Sequence, residues 1–101
     1  MPVFNQLRLK ITNGSGLHLR AASRLVQLVQ QFQSEVRVCC DGRAANGKSI
    51  LDLIMLSAQC GARLEIEVSG PDAEEATGAL CALIEEGFHE DEGIRDGYPG
   101  P

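Results

Sequence analysis

A-R-L-E-I-E-V, residues 62–68, alternates apolar and polar side chains. Successive side chains of an extended chain point to opposite faces, so this pattern predicts a strand with one buried face. Leu64, Ile66 and Val68 share the core side, and Arg63, Glu65 and Glu67 meet water. A strand of a parallel sheet is covered on both faces and reads as a continuous apolar run instead. The stretch therefore predicts an antiparallel sheet with one face covered.

The neighbouring segments agree with it. Residues 6–12, Q-L-R-L-K-I-T, alternate with Leu7, Leu9 and Ile11 on one side, and residues 35–40, E-V-R-V-C-C, with Val36, Val38 and Cys40. Asp41-Gly42 is a hairpin turn signal, and the following R-A-A reads as a short return strand. Between the strands the period lengthens. From Leu19 to Phe32, the residues Ala22, Leu25, Val26, Val29 and Phe32 form a helical stripe. Residues 49–59 read as a helix apolar almost all round, capped by Gly61. Asp72 opens a third helix, with Glu75 completing a D-x-x-E capping pattern. Its stripe is Ala76, Leu80, Leu83 and Ile84, and Gly87 ends it. The order is β-α-β-β-α-β-α. The expected fold class is α/β in the α+β sense: an open-faced β-sandwich, with a four-stranded antiparallel sheet and three helices on one face. One domain is expected over residues 1–87. Residues 88–101 have no period and many breakers, and are expected to be a flexible C-terminal tail, with His89 an exposed bystander in it.

A chain of 101 residues with 44% hydrophobic and 23% charged residues suits a single globular domain. The net charge of −5 offers no broad basic face for nucleic acid, although Arg20, Arg24 and Lys48 can make a local basic spot. No run approaches the ~20 apolar residues of a membrane helix. The first residues lack signal-peptide architecture, so a cytoplasmic location is expected. The four cysteines form no C-x-x-C and have no zinc-ligand spacing. They are expected to be buried free thiols, with no metal and no cofactor.

N-G-S-G-L-H-L-R-A-A-S-R-L, residues 13–25, places His18 between a glycine-rich turn and a helical pattern. The first amides of a helix lack internal partners and, with the helix dipole, favour an anion. A histidine there can accept a phosphoryl group on a ring nitrogen, with the protein itself as the intermediate. Arg20 can hold the phosphoryl oxygens with its fork of donors, and Ser15 adds a hydroxyl. Taken alone, H-x-R is better explained by a histidine that merely opens a helix, with an exposed arginine nearby.

Residues 42–49, G-R-A-A-N-G-K-S, satisfy the phosphate-loop pattern G-x-x-x-x-G-K-[ST]. A nucleotide-binding domain through Gly42–Ser49 is the alternative this raises. Such a domain needs a parallel sheet and a magnesium-binding aspartate at the tip of a later strand, and L-E-I-E-V-S-G ends without one. The other interpretation is a D-G hairpin turn, with Ser49 capping a helix and Asp52 as its capping-box partner.

G-L-H-L-R-A-A-S-R-L-V resembles the active-site segment of the HPr family, the histidine-containing phosphocarriers of the phosphoenolpyruvate-dependent sugar phosphotransferase system, whose usual form is G-L-H-A-R-P-A. A-N-G-K-S-I-L-D-L-I-M-L, 45–56, is similar to the family's regulatory-serine segment. G-A-R-L-E-I-E-V-S-G-P-D-A-E-E-A is similar to its final strand, turn and helix. The likeness spans residues 5 to 87 in order. It implies a carrier rather than an enzyme, with His18 as phosphoryl acceptor through Nδ1 and Arg20 steadying the group. It implies that Ser49 is the counterpart of a serine modified by a regulatory kinase. Leu53 and Leu56 are expected to face the core, with Ile50, Leu51 and Ile54 outward. Together with Leu19 and Arg24 these form the expected docking surface for enzyme I and for sugar-specific enzyme IIA-type acceptor proteins. A serine kinase is a further implied partner, and the carrier is expected to be a monomer. A regulatory relative, not coupled to sugar transport, remains an alternative. Two residues depart from the family form: Ala21 stands where proline is usual, and Leu19 replaces a usually small residue.

Overall fold

The computed structural model describes residues 3–89. The elements are β1 (Val3–Lys10), α1 (Leu19–Val29), β2 (Glu35–Cys40), β3 (Arg43–Asn46), α2 (Ile50–Met55), β4 (Arg63–Gly70) and α3 (Ala73–Glu85), followed by a closing turn at Gly87–His89. The strands form one sheet in the order β1-β4-β2-β3, and every neighbouring pair is antiparallel. β4 is central. Ile66 is opposite Leu7 on one side and Val38 on the other.

One face of this sheet carries the core. Leu64, Ile66 and Val68 are fully buried, as are Val38 and, from the helices, Leu25, Leu53, Leu80 and Ile84. The opposite face is mostly polar, with Phe4 the large apolar side chain exposed on it, and Arg8–Glu65 at 3.3 Å and Arg37–Glu67 at 3.7 Å bridge neighbouring strands. The alternation seen in residues 62–68 is therefore the alternation of a one-sided sheet. Asp41 and Gly42, both with positive φ (52° and 80°), make the expected tight turn between β2 and β3.

Several local expectations are corrected. α2 ends at Met55, short of residue 59, because Ser57 turns left-handed (φ 54°). Leu56 and Ala58 are buried, but beyond the helix, and their apolar character extended its apparent length. Gly61 does not cap α2. Its amide donates to the Ile11 carbonyl at 2.9 Å, in a loop-to-loop contact. α1 ends at Val29, and Phe32 lies half-buried in the turn beyond it. Asp72 occupies the N-cap position of α3 but makes no side-chain cap bond. Its carboxylate accepts instead from the amides of Gln33 and Ser34 and from the Ser34 hydroxyl. All four cysteines are free, but only Cys40 is buried; Cys60 is exposed, since it falls in the loop rather than on a helix.

The expected domain end at residue 87 falls inside the packed body. Phe88 is fully buried and its backbone belongs to the closing turn, while His89 is half-buried, its Nδ1 lying 3.1 Å from Glu86 Oε1. The remainder of the segment expected to be a tail, residues 90–101, lies outside the described residues.

Candidate functional site

The loop before α1 is built by short-range bonds. The Gly16 amide donates to the Asn13 carbonyl at 3.1 Å, and Asn13 Nδ2 donates to the Gly16 carbonyl at 2.7 Å. Gly16 has φ +69°, and a Cβ there would sit 2.5 Å from the Ala58 carbonyl oxygen and 2.8 Å from Gln59 Cα. Both the backbone conformation and the close approach require glycine. The next amide, that of Leu17, donates to the same Ala58 carbonyl at 2.8 Å, and the Leu17 side chain is buried. The loop is thus clamped to the segment that follows α2.

His18 comes next, as the N-cap residue of α1 with extended backbone (φ −88°, ψ −172°) and no side-chain capping bond. The first intrahelical bond runs from the Ala22 amide to the His18 carbonyl at 2.8 Å. The amides of Leu19, Arg20 and Ala21 consequently have no acceptor inside the helix and lie at its positive end. Proline at position 21 would remove one of these donors, so Ala21 leaves the chain with one more. The Ala21 side chain is fully buried, where it anchors the first turn to the core. Ser15 and Arg20 are exposed and His18 is half-buried. Loop and helix start therefore bring Ser15, His18 and Arg20 onto one short stretch beside free-standing amides, an arrangement suited to binding a phosphoryl group.

α2 packs against α1. Leu53 and Leu56 are buried, Ile50 and Ile54 are half-buried, and Leu51 is 73% exposed. Met55, one turn beyond Leu51, is 71% exposed, and Leu19 at the start of α1 is 64% exposed. Positions four apart share a helix face. Leu51 and Met55 therefore form one apolar strip, ending three residues before Ala58, the clamp of the His18 loop. Sequence reasoning missed Met55. Its spacing from Leu51 was the available signal, hidden because the helix was expected to run further and to be apolar all round.

Arg24 is half-buried, with Nη1 donating to the Phe88 carbonyl at 2.6 Å. Ser49 caps α2: its hydroxyl accepts from the Asp52 amide at 3.2 Å. Asp52 does not close a capping box; its carboxylate lies 3.4 Å from the Asn46 amide.

The residues of G-R-A-A-N-G-K-S have other uses. Gly42 is in the hairpin turn, and residues 43–46 are β3. At Gly47 a Cβ would sit 2.7 Å from Val36 Cγ1, and its amide donates to the Val36 carbonyl at 2.7 Å. Lys48 Nζ reaches the Phe32 carbonyl at 3.5 Å. The glycines thus make a turn and a strand contact, and the sheet is antiparallel, unlike that of a nucleotide-binding loop. No helix among the described residues is long and apolar enough to cross a membrane.

The family described as the PTS HPr component phosphorylation site matches residues 6–86. The chain is 44% identical over 82 residues to the phosphocarrier protein HPr of Cupriavidus necator, covering 81% of this chain and 92% of that protein. It is 42% identical over 83 residues to the phosphocarrier protein NPr of Escherichia coli K12, covering 81% and 92%. Among solved structures, HPr-C-His from Thermoanaerobacter tengcongensis superposes with a TM-score of 0.82 at 36% identity, covering 85% of this chain and 97% of that one. The phosphocarrier protein HPr from Bacillus anthracis gives 0.77 at 33% identity, covering 81% and 98%. With the helix-opening histidine, the open-faced sheet and these matches together, the chain belongs to the HPr family of phosphocarrier proteins.

Proposed function

We propose that the chain is a monomeric cytoplasmic carrier that accepts a phosphoryl group on His18 from phosphorylated enzyme I and passes it to a sugar-specific enzyme IIA-type acceptor. The observation that carries this is the placement of His18 as N-cap of α1, after a clamped loop and before three amides the helix does not use. In the step, the P–N bond of the donor phosphohistidine breaks as a P–Nδ1 bond forms on His18; the donor ring leaves as imidazole, and one proton passes, by way of solvent, from the His18 ring to the donor ring. The transferred group keeps its charge throughout, so donors aimed at its oxygens stabilise transition state and product alike. The amides of Leu19, Arg20 and Ala21 are such donors. Arg20 adds a mobile bidentate fork, and Ser15 a hydroxyl, from the exposed rim.

The docking surface in this proposal is the apolar strip of Leu51 and Met55 with Leu19, flanked by Ile50 and Ile54. An exposed apolar patch beside a charged centre suits partners that bind briefly and leave. A serine kinase acting on Ser49 belongs to the same proposal. Phosphate there would still offer acceptors to the first amides of α2, but would stand near the Asp52 carboxylate, whose charge opposes it.

A regulatory carrier not coupled to sugar transport is the second reading. It is favoured by the likeness to NPr, which equals the likeness to the Cupriavidus necator HPr in coverage. Intact-mass measurement after incubation with phosphoenolpyruvate and enzyme I tests the first step. One acid-labile phosphoryl group is expected, absent in His18→Ala; no gain by the folded protein would refute it. Onward transfer to a sugar-specific acceptor then separates the two readings.

A further inference from the structure

The turn after α3 is unusual in its backbone. Gly87, Phe88 and His89 have φ values of 67°, 59° and 61°, three consecutive left-handed residues of which two carry side chains. Residues with a Cβ occupy this region at a cost, and runs of them persist only where their surroundings hold them. Among the described residues, Phe88 supplies two such attachments. The Phe88 side chain is fully buried, and the Phe88 carbonyl accepts a 2.6 Å bond from Arg24 on α1.

The other side of the turn meets the phosphorylation loop. The atoms nearest to where a Gly87 Cβ would stand are Asn13 Cβ at 3.7 Å and Thr12 Oγ1 at 4.0 Å. Asn13 is buried, and it holds the Gly16 carbonyl, one residue before the Leu17 amide that is clamped to Ala58. The turn is therefore wedged between the loop that leads into His18 and the helix that follows it. Arg24 is the polar tie on the helix side.

We propose that Arg24 is a positioning residue for phosphoryl acceptance at His18. It latches the Gly87–His89 turn against Asn13, and so fixes the loop that aims the imidazole. This rests on the proposal that His18 is the phosphoryl acceptor. It gives Arg24 a role different from contact with a partner protein: the guanidinium acts through Phe88 and Asn13.

The test uses the full chain with Arg24→Met, which keeps an unbranched stem and removes the donors, and Arg24→Lys, which restores one. Initial rates of phosphorylation are measured with enzyme I and phosphoenolpyruvate over a range of carrier concentrations. In Arg24→Met, kcat should fall on the order of 10-fold with KM nearly unchanged, since misaimed reactants lose turnover rather than affinity. Arg24→Lys should recover part of it. In ¹H–¹⁵N spectra of Arg24→Met, the amides of Gly16 and Leu17 should shift and exchange faster with solvent. A rise in KM at constant kcat would instead make Arg24 a partner contact and overturn the proposal, as would unchanged rates. If Arg24→Met unfolds, Arg24→Leu at lower temperature takes its place. If the unaltered protein accepts no phosphoryl group, the carrier proposal fails by itself. The latch is then decided by the Gly16 and Leu17 amides, and unmoved amides overturn it.

Discussion

The carboxylate of Asp72 and the hydroxyl of Ser34 are hydrogen-bonded across 38 positions of sequence, and the same carboxylate takes the backbone amides of Gln33 and Ser34 at 2.9 Å each. Ser34 is fully buried, so its donors would be orphaned without this partner. The bond joins the entry of β2 to the start of α3. It holds one corner of the sandwich.

These bonds, that of the Ser34 hydroxyl foremost, hold the Asp72 carboxyl below the ordinary carboxylate range. A lowered folded pKa means that the contribution is complete above the unfolded value, about 3.9. It is lost as pH falls through the lower folded value. Asp72→Asn is therefore expected to be less stable than the unaltered chain at neutral pH. The difference should narrow as pH falls below about 4. Thermal melts of both proteins between neutral and acid pH measure this.

Gly16→Ala should be destabilised by about 2 kcal/mol or more, combining left-handed strain with a clash against the Ala58–Gln59 backbone. Urea unfolding gives the loss. Because the same residue shapes the loop before His18, the phosphorylation rate of the folded fraction should fall as well.

Leu53→Ala and Leu51→Ala separate the core from the proposed docking face on one helix. Leu53 is fully buried, and its truncation should cost about 2–5 kcal/mol of stability. Leu51 is exposed, so its truncation should change stability by no more than about 0.5 kcal/mol. Leu51→Ala, and Met55→Ala with it, should instead weaken enzyme I binding by about 1–2 kcal/mol each. Denaturant melts and titration calorimetry give the two readouts.

The thiols should react in a fixed order. Burial, aided by Asp41, raises the Cys40 pKa, and burial, aided by Glu85, raises that of Cys81. Both are thereby held further toward the protonated, less nucleophilic form near neutral pH. Cys60 is exposed. Iodoacetamide at neutral pH should label Cys60 first and Cys40 and Cys81 last, as read by peptide mass mapping.

Strand faces and helix stripes were legible in the sequence because burial imposes a period on neighbouring residues. Leu64, Ile66 and Val68 on one side of β4, or Ala76, Leu80, Leu83 and Ile84 on α3, need no distant information. The His18 segment, the D-G turn and the Ser49 cap were equally local. Three things were not, and each depends on residues far apart in sequence. Asp72 matches a capping pattern, but its carboxylate is taken by donors 38 and 39 positions earlier in the chain. α2 stops at Met55 because the next residues are used by the His18 loop, a contact with no periodic trace. Phe88 looks like the start of a tail, and only the packed core and the reach of Arg24 make it part of the fold. Sequence by itself determined which faces must be buried and that a histidine opens α1 after a glycine-rich turn. Tertiary structure decided which polar groups satisfy one another, because a hydrogen bond between distant segments depends on where the chain has already been brought.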